Sequence, residues 1–281
     1  MRKKPESDPD LIAQAAQLAM LLEVSASPKA GNVDRCHDYP DTRYEDFLAS
    51  SVAVYPVFRK AALKDTGVGK LIFEAVEASK RWHTGGNTHF GAFILLIPLV
   101  MAGGVQDLAK EIVRGTGWQD AIDFYRAFAI AGVRVGKVND LNLGSQESLD
   151  RIREEKITLF DIFKISSSYD SVSAEWINGF ERSFKYAWIV GTNVREYGMN
   201  DGIVLTFMQL LAEYPDTFIA MKSGNETALD ISATASKLAC EFDLDKIRSF
   251  DEELIERGIN PGATADMIIA SIFIALIKGW L

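Results

Sequence analysis

Three polar segments carry the residue types for chemistry on a phosphorylated ligand: Ser27-Pro28-Lys29-Ala30-Gly31-Asn32-Val33-Asp34-Arg35, Thr84-Gly85-Gly86-Asn87-Thr88-His89-Phe90-Gly91 and Asn260-Pro261-Gly262-Ala263-Thr264-Ala265-Asp266. Each stands just before an apolar run long enough for a helix. A helix start leaves backbone N–H groups unpaired and carries partial positive charge, and glycine lets an anion approach it closely. Three such starts predict a polyphosphate site. In the first segment Lys29 and Arg35 supply cations, Gly31 permits a tight turn, and Asn32 and Asp34 suit a sugar hydroxyl or a magnesium ion. The same residues also suit an ordinary loop in which Asn32 or Asp34 caps the next element. In the third segment Pro261 fits a first helical turn, which puts Thr264 and Asp266 within the first two turns, where an acid can equally be a dipole partner.

Other candidates are weaker taken singly. Asp201 in Asn200-Asp201-Gly202 and Asp216 in Tyr214-Pro215-Asp216-Thr217 can contact a metal or hydroxyl, or act as cap and turn residues. His37, His83 and His89 all fall in or beside the first two segments, but the spacing of His83 and His89 fits no standard zinc pattern. Cys36 and Cys240 match no metal-ligand spacing either, which leaves a reduced, cytoplasmic setting as the expectation.

The elements that must hold these segments read as helices almost throughout. Leu11, Ala15, Leu18, Ala19 and Leu22 recur at helical spacing behind a Ser7-Asp8-Pro9-Asp10 start, and a second start at Thr42-Arg43-Tyr44-Glu45 predicts a helix through Ala62. Further helices are predicted over 67–82, 92–102, 106–114, 118–131, 174–196, 201–212, 227–240, 245–257 and 261–278. Residues 132–148 lack periodicity, and residues 166–173 read as a short polar loop. The aromatic residues between Phe160 and Trp188 recur at helical spacing and read as core. With scarce strand patterns, no internal repeat and no linker, the expectation is one all-α domain over 1–281.

Composition narrows the function classes. A formal charge of −9 with 48% apolar content supports a large core and argues against a nucleic-acid or membrane-surface binder. Local cations or a metal must then meet any phosphate. The basic Met1-Arg2-Lys3-Lys4 start is followed by no apolar stretch, so no signal peptide is predicted. The apolar runs 92–102 and 267–277 are shorter than the roughly 20 residues of a membrane span.

In combination the segments are far more specific. Pro28-Lys29-x-Gly31-Asn32-Val33-Asp34, Thr84-Gly85-Gly86-Asn87-Thr88-His89-x-Gly91, Pro215-Asp216-Thr217 and Asn260-Pro261-Gly262-x-Thr264-Ala265-Asp266, in that order, resemble the triphosphoribosyl-dephospho-CoA synthases. These enzymes make the precursor of the prosthetic group of citrate lyase and malonate decarboxylase. Ala30 departs from a second proline in the family pattern, and residues 34–42 look closer to a divergent branch found with methanogenic-type one-carbon cofactors.

The resemblance implies an all-α, magnesium-dependent transferase. It would join ATP to 3′-dephospho-CoA, release adenine, and leave a triphosphoribosyl group on the ribose 2′-hydroxyl. Substitution at the anomeric carbon develops oxocarbenium character, so the reaction needs a base for the hydroxyl, a hydrogen bond for adenine and a clamp on the triphosphate. His89, Asp34 and Asp266 are the catalytic candidates. Lys29, Gly31, Asn32, Arg35, Gly85, Gly86, Asn87, Thr88, Asn260, Gly262 and Thr264 are the nucleotide-binding candidates, and Asp34, Asp201, Asp216 and Asp266 the magnesium ligands. Two alternatives stand beside this reading. One is a related ATP-dependent ribosyl transfer to another alcohol in one-carbon cofactor biosynthesis, and the other is a regulator that binds nucleotide or CoA without turnover.

Overall fold

The computed structural model describes residues 8–132 and 146–281, and over these the chain is all-α, its sole extended pairing being an isolated bridge between Tyr39 and Thr42. Helix α1 (Pro9–Ser25) starts behind Asp8, whose carboxylate accepts from the Asp10 N–H at 3.0 Å. Ser7 and the expected loop residues 133–145 lie outside the described residues.

The helix predicted from Thr42–Glu45 to Ala62 is two helices, α2 (Tyr44–Ala53) and α3 (Tyr55–Leu63). Proline has no N–H, so Pro56 cannot continue the ladder across Val54. The side-chain amide of Gln17 instead donates to the carbonyls of Ser51 and Val52, at 3.0 and 3.4 Å. Asp46 rather than Glu45 secures the start of α2, accepting from the Arg43 N–H at 2.9 Å.

Helices α4 (Val68–Lys80), α5 (Phe90–Met101), α6 (Gln106–Arg114) and α7 (Trp118–Ala131) follow the apolar spacing. Two helices that the periodicity did not predict come next, α8 (Gln146–Glu155) and α9 (Leu159–Ser166). In α8 the charge density hides the pattern, for Ser148 and Ile152 alone are buried. In α9 the start is fixed by reciprocal bonds of 3.1 Å between the Thr158 hydroxyl and Asp161 N–H and between the Thr158 N–H and Asp161 carboxylate.

The helix predicted over 174–196 opens earlier and breaks: α10 (Ser171–Asn178) and α11 (Glu181–Tyr197) are separated by Gly179 and Phe180, both left-handed, with φ of 75° and 62°. The polar loop expected at 166–173 therefore shrinks to the few residues before Ser171. Then come α12 (Met199–Glu213), the unpredicted α13 (Thr217–Ser223), α14 (Asn225–Glu241), α15 (Leu244–Glu256) and α16 (Gly262–Lys278).

One contiguous apolar cluster runs through these helices, with α5 and α16 at its centre. Both are apolar nearly all round, as a helix enclosed by others must be. Helix α16 packs on α1, α5, α11 and α12, while α4 packs on α7 and α12 on α14 to either side. Among the described residues no single helix is long and apolar enough to cross a membrane. Phe163, Trp176, Phe180 and Tyr186 are buried as expected of core aromatics, whereas Trp188 is exposed and meets Trp280 edge-on.

Candidate active site

Asp216 and its neighbours bring several helix starts to one place. Asp216 Oδ1 accepts from the N–H groups of Phe218 and Ile219, at 2.8 and 3.1 Å, and so caps α13. Its Oδ2 accepts from the Thr264 N–H and hydroxyl, at 2.7 and 2.8 Å, and so caps α16 as well. The start of α10 joins them, since the Ser171 N–H donates to Thr217 Oγ1 at 3.1 Å and the two hydroxyls lie 2.8 Å apart. Helix α5 completes the group through Asp266, whose carboxylate accepts from the Ala92 N–H and presses against Gly91. A Cβ on Gly91 would stand 2.0 Å from Asp266 Oδ2, so this helix start admits glycine alone beside the acid.

The first loop lies against the same centre. Lys29 and Glu23 are buried and paired, and Lys29 Nζ also donates to Asn32 Oδ1 at 3.2 Å. The Asn32 amide donates to Asn260 Oδ1 at 2.9 Å, which ties the loop to the approach of α16. Gly31 has φ of 71°, and a Cβ there would stand 2.3 Å from the Ile259 carbonyl, so two separate constraints require glycine.

Carboxylates crowd this centre. Burial raises the pKa of Asp266 well above the usual range, and the charges of Glu23, Asp216 and Asp170 raise it further. Burial likewise raises Glu23, Asp170 and Asp216, against the lowering effect of Lys29 on Glu23 and of N–H and hydroxyl donors on the two aspartates. Among the described residues Lys29 is the buried cation facing these acids. Acids outnumber cations here and burial favours their protonated forms, so a divalent ion would suit them once ionised.

His89 stands at the start of α5, buried between Phe47 and Phe93. Its Nδ1 lies 2.9 Å from the Ser50 hydroxyl, which receives the Ser79 hydroxyl at 2.8 Å, and Ser79 lies 2.9 Å from His83 Nε2. With Ser79 donating to Ser50, the Ser50 proton points to His89 Nδ1, so the neutral ring carries its proton on Nε2. Burial, helped by the charge of Lys29, lowers the His89 pKa to about 3. The folded state therefore resists protonating this ring, and the stability so gained is present above the unfolded pKa of about 6.5 and is lost as pH falls from there toward the folded value. Urea denaturation at stepped pH should show His89→Asn losing less stability per unit than the parent between about pH 6.5 and 4, by up to roughly 1.4 kcal/mol per unit. Parallel curves would remove His89 as the buried neutral group.

The remaining residues predicted for the site divide clearly. Asp34 is a staple for its own loop: its carboxylate accepts from the N–H groups of Lys29, Cys36 and His37, at 3.2, 2.7 and 3.0 Å. Asp216 has all its acceptor positions filled by the two caps, and Asp201, in the first turn of α12, is met by the Asn200 amide at 2.9 Å. Of Asp34, Asp201, Asp216 and Asp266, Asp216 and Asp266 stand where the helix starts meet, Asp216 spent on its two caps and Asp266 accepting from the Ala92 N–H, while Asp34 serves its own loop. Arg35 is exposed and bonded to Asn200 at 3.1 Å. Gly85 and Gly86 direct their carbonyls to Lys80 Nζ, at 2.8 and 3.0 Å, and Asn87 caps α5 by accepting from the Phe90 N–H at 3.1 Å. Thr88 is half-buried beside His89, lining a small cavity with Ser79 and Lys80.

Glu23 and Asp170 are site residues that the segment reading missed. Glu23 lies on the buried stripe of α1 with Ile12, Ala16, Ala19 and Met20, turned from the expected stripe, whose Leu11 and Leu18 are exposed, so the spacing did not mark it. Asp170 lies in the expected polar loop and gave no signal either.

Residues 9–281 match the family described as CitG: ATP:dephospho-CoA triphosphoribosyl transferase. Among solved structures the chain is similar to one from Archaeoglobus fulgidus described as a triphosphoribosyl-dephospho-CoA synthase. The two are 29% identical, with a TM-score of 0.70, and the match covers 83% of this chain and 100% of that one.

Proposed function

The chain belongs to the ATP:dephospho-CoA triphosphoribosyl transferase family, and we propose that it carries out this transfer where the starts of α5, α10, α13 and α16 meet Lys29, Glu23 and Asp266. The observation that supports this reading is the double cap by Asp216, which holds two helix starts together beside the buried Asp266, whose pKa is raised. The positive ends of these helices favour a triphosphate, and magnesium arrives as the counter-ion of MgATP, a substrate whose positive ion the cluster of carboxylates attracts. Asp266, with its raised pKa, takes the proton of the incoming ribose 2′-hydroxyl. The new C–O bond forms at C1′ of the ATP ribose as the bond to adenine breaks, and the net proton passes from hydroxyl to adenine. His89 assists departure by donating a hydrogen bond from Nε2. The acceptor in this reading is 3′-dephospho-CoA.

The test is adenine release, followed by chromatography, from purified protein, ATP, magnesium and 3′-dephospho-CoA. Gly262→Ala sharpens it. A Cβ at Gly262 would meet nothing nearer than the Phe218 ring at 3.5 Å, so alanine fits the fold and should change stability by no more than about 1 kcal/mol. The same methyl stands on the helix start that approaches the triphosphate, and turnover should fall at least about tenfold, equivalent to ~1.4 kcal/mol. No adenine with 3′-dephospho-CoA but release with another alcohol would reassign the acceptor. ATP binding without release for any acceptor would overturn the enzyme reading, and a fully active Gly262→Ala would move the phosphate away from α16.

A further inference from the structure

We propose that Asp34, His37 and Asp251 form a binding site for one first-row divalent cation of the zinc class, which ties the loop carrying Lys29 and Asn32 to α15. One ligand atom from each residue lies within 4.8 Å of the others. Asp34 and Asp251 are fully buried, with the His37 ring beside both carboxylates.

The geometry of Asp251 and His37 carries the argument. Asp251 Oδ1 accepts from the Gly31 N–H at 2.8 Å, which fixes the carboxylate, while its buried Oδ2 has no hydrogen-bond partner. His37 Nδ1 stands 2.9 Å from that oxygen, yet it too has no hydrogen-bond partner. Two buried polar atoms at contact distance, neither in a hydrogen bond, are what two ligands that share a third atom would leave. Asp34 Oδ1, 3.8 Å from the same ring nitrogen, accepts from the Cys36 and His37 N–H groups, and Oδ2 accepts from the Lys29 N–H and keeps a position for an ion, so the third ligand is oriented by its own loop. Such outer contacts orient ligands in advance.

One imidazole and two carboxylates form a mixed nitrogen and oxygen set, and three protein ligands with a fourth position for water is a common zinc arrangement. The His37 side chain is 24% exposed, which gives an ion a path from solvent. The role of this site is to stiffen the loop that brings Lys29 and Asn32 to the Asp266 centre. The opposing account is a direct ion pair of protonated His37 with Asp251, which binds no metal.

Full-length protein stripped with a chelator should be titrated with zinc sulfate by calorimetry and followed by thermal melting, with magnesium sulfate as control. Expected are one zinc per chain, a raised Tm, and no comparable effect of magnesium. Asp251→Asn keeps the acceptor for Gly31, and His37→Asn removes the ring; each should weaken zinc binding by at least about 100-fold. If one variant fails to fold, the other still decides the matter. Cys36→Ser should bind zinc like the parent, because Cys36 is an exposed thiol outside the ligand set. Absence of zinc binding, equal binding by parent and both ligand variants, or loss of binding in Cys36→Ser would each overturn the assignment. Stabilisation by MgATP, read in the same melts, reports on the Asp266 centre independently.

Discussion

Asp266→Asn should give a folded protein whose adenine release is slowed by roughly 100-fold or more, the usual contribution of a positioned general base. Asparagine retains an oxygen for the Ala92 N–H and removes a negative charge facing Glu23, so the fold should change by no more than about 2 kcal/mol. In the parent, burial and neighbouring acids raise the pKa of Asp266, and a base must be ionised to act. Single-turnover release should therefore rise with pH through that raised pKa, and the residual activity of the variant should lack this rise. Paired denaturation curves and single-turnover rates read both effects. A near-parental rate with an unchanged pH profile would place the chemistry elsewhere, and outright unfolding would make Asp266 a structural acid.

Lys29→Met should be the most destabilising single change near the site, because it leaves Glu23 buried without its cation. Breaking a buried pair from one side costs about 3–5 kcal/mol. Glu23 can lessen that cost by taking up a proton, for burial already raises its pKa and Lys29 is what holds it down. A carboxyl whose folded pKa exceeds its unfolded value loses stability as pH rises through the folded value, so the variant should be weaker at pH 8 than at pH 5. The double variant Glu23→Gln, Lys29→Met removes both charges and should recover most of the lost stability. It should not recover turnover, because the cation facing the substrate is still missing. Restored adenine release in the double variant would show the pair to be a structural unit with no part in the reaction.

Periodicity alone was enough for the all-α class and for helices such as α6 and α7, whose apolar faces repeat cleanly against charged ones. Motif order was enough for the family, since four polar segments in sequence are a pattern that chance does not supply. Helix interruptions were harder. Pro56 breaks the ladder within an unbroken apolar rhythm, and the break at Gly179 and Phe180 depends on two consecutive left-handed residues, one of them not glycine. Short helices such as α13 have too few turns to show a period and exist because Asp216 caps them.

The roles of the acids were beyond reach of the sequence for a different reason. Asp34, Asp201, Asp216 and Asp266 are the same residue type in similar polar settings, and what distinguishes them is which N–H groups reach their oxygens. Asp34 and Asp201 are met by near neighbours in the chain, whereas decisive donors to the others come from far away: Thr264 for Asp216 and Ala92 for Asp266. The sequence by itself determined that carboxylates and helix starts would be present in the right order. Tertiary packing decided which carboxylates are saturated as caps and which retain the unpaired charge that chemistry requires, because burial and hydrogen-bond donors are set by neighbours far away along the chain.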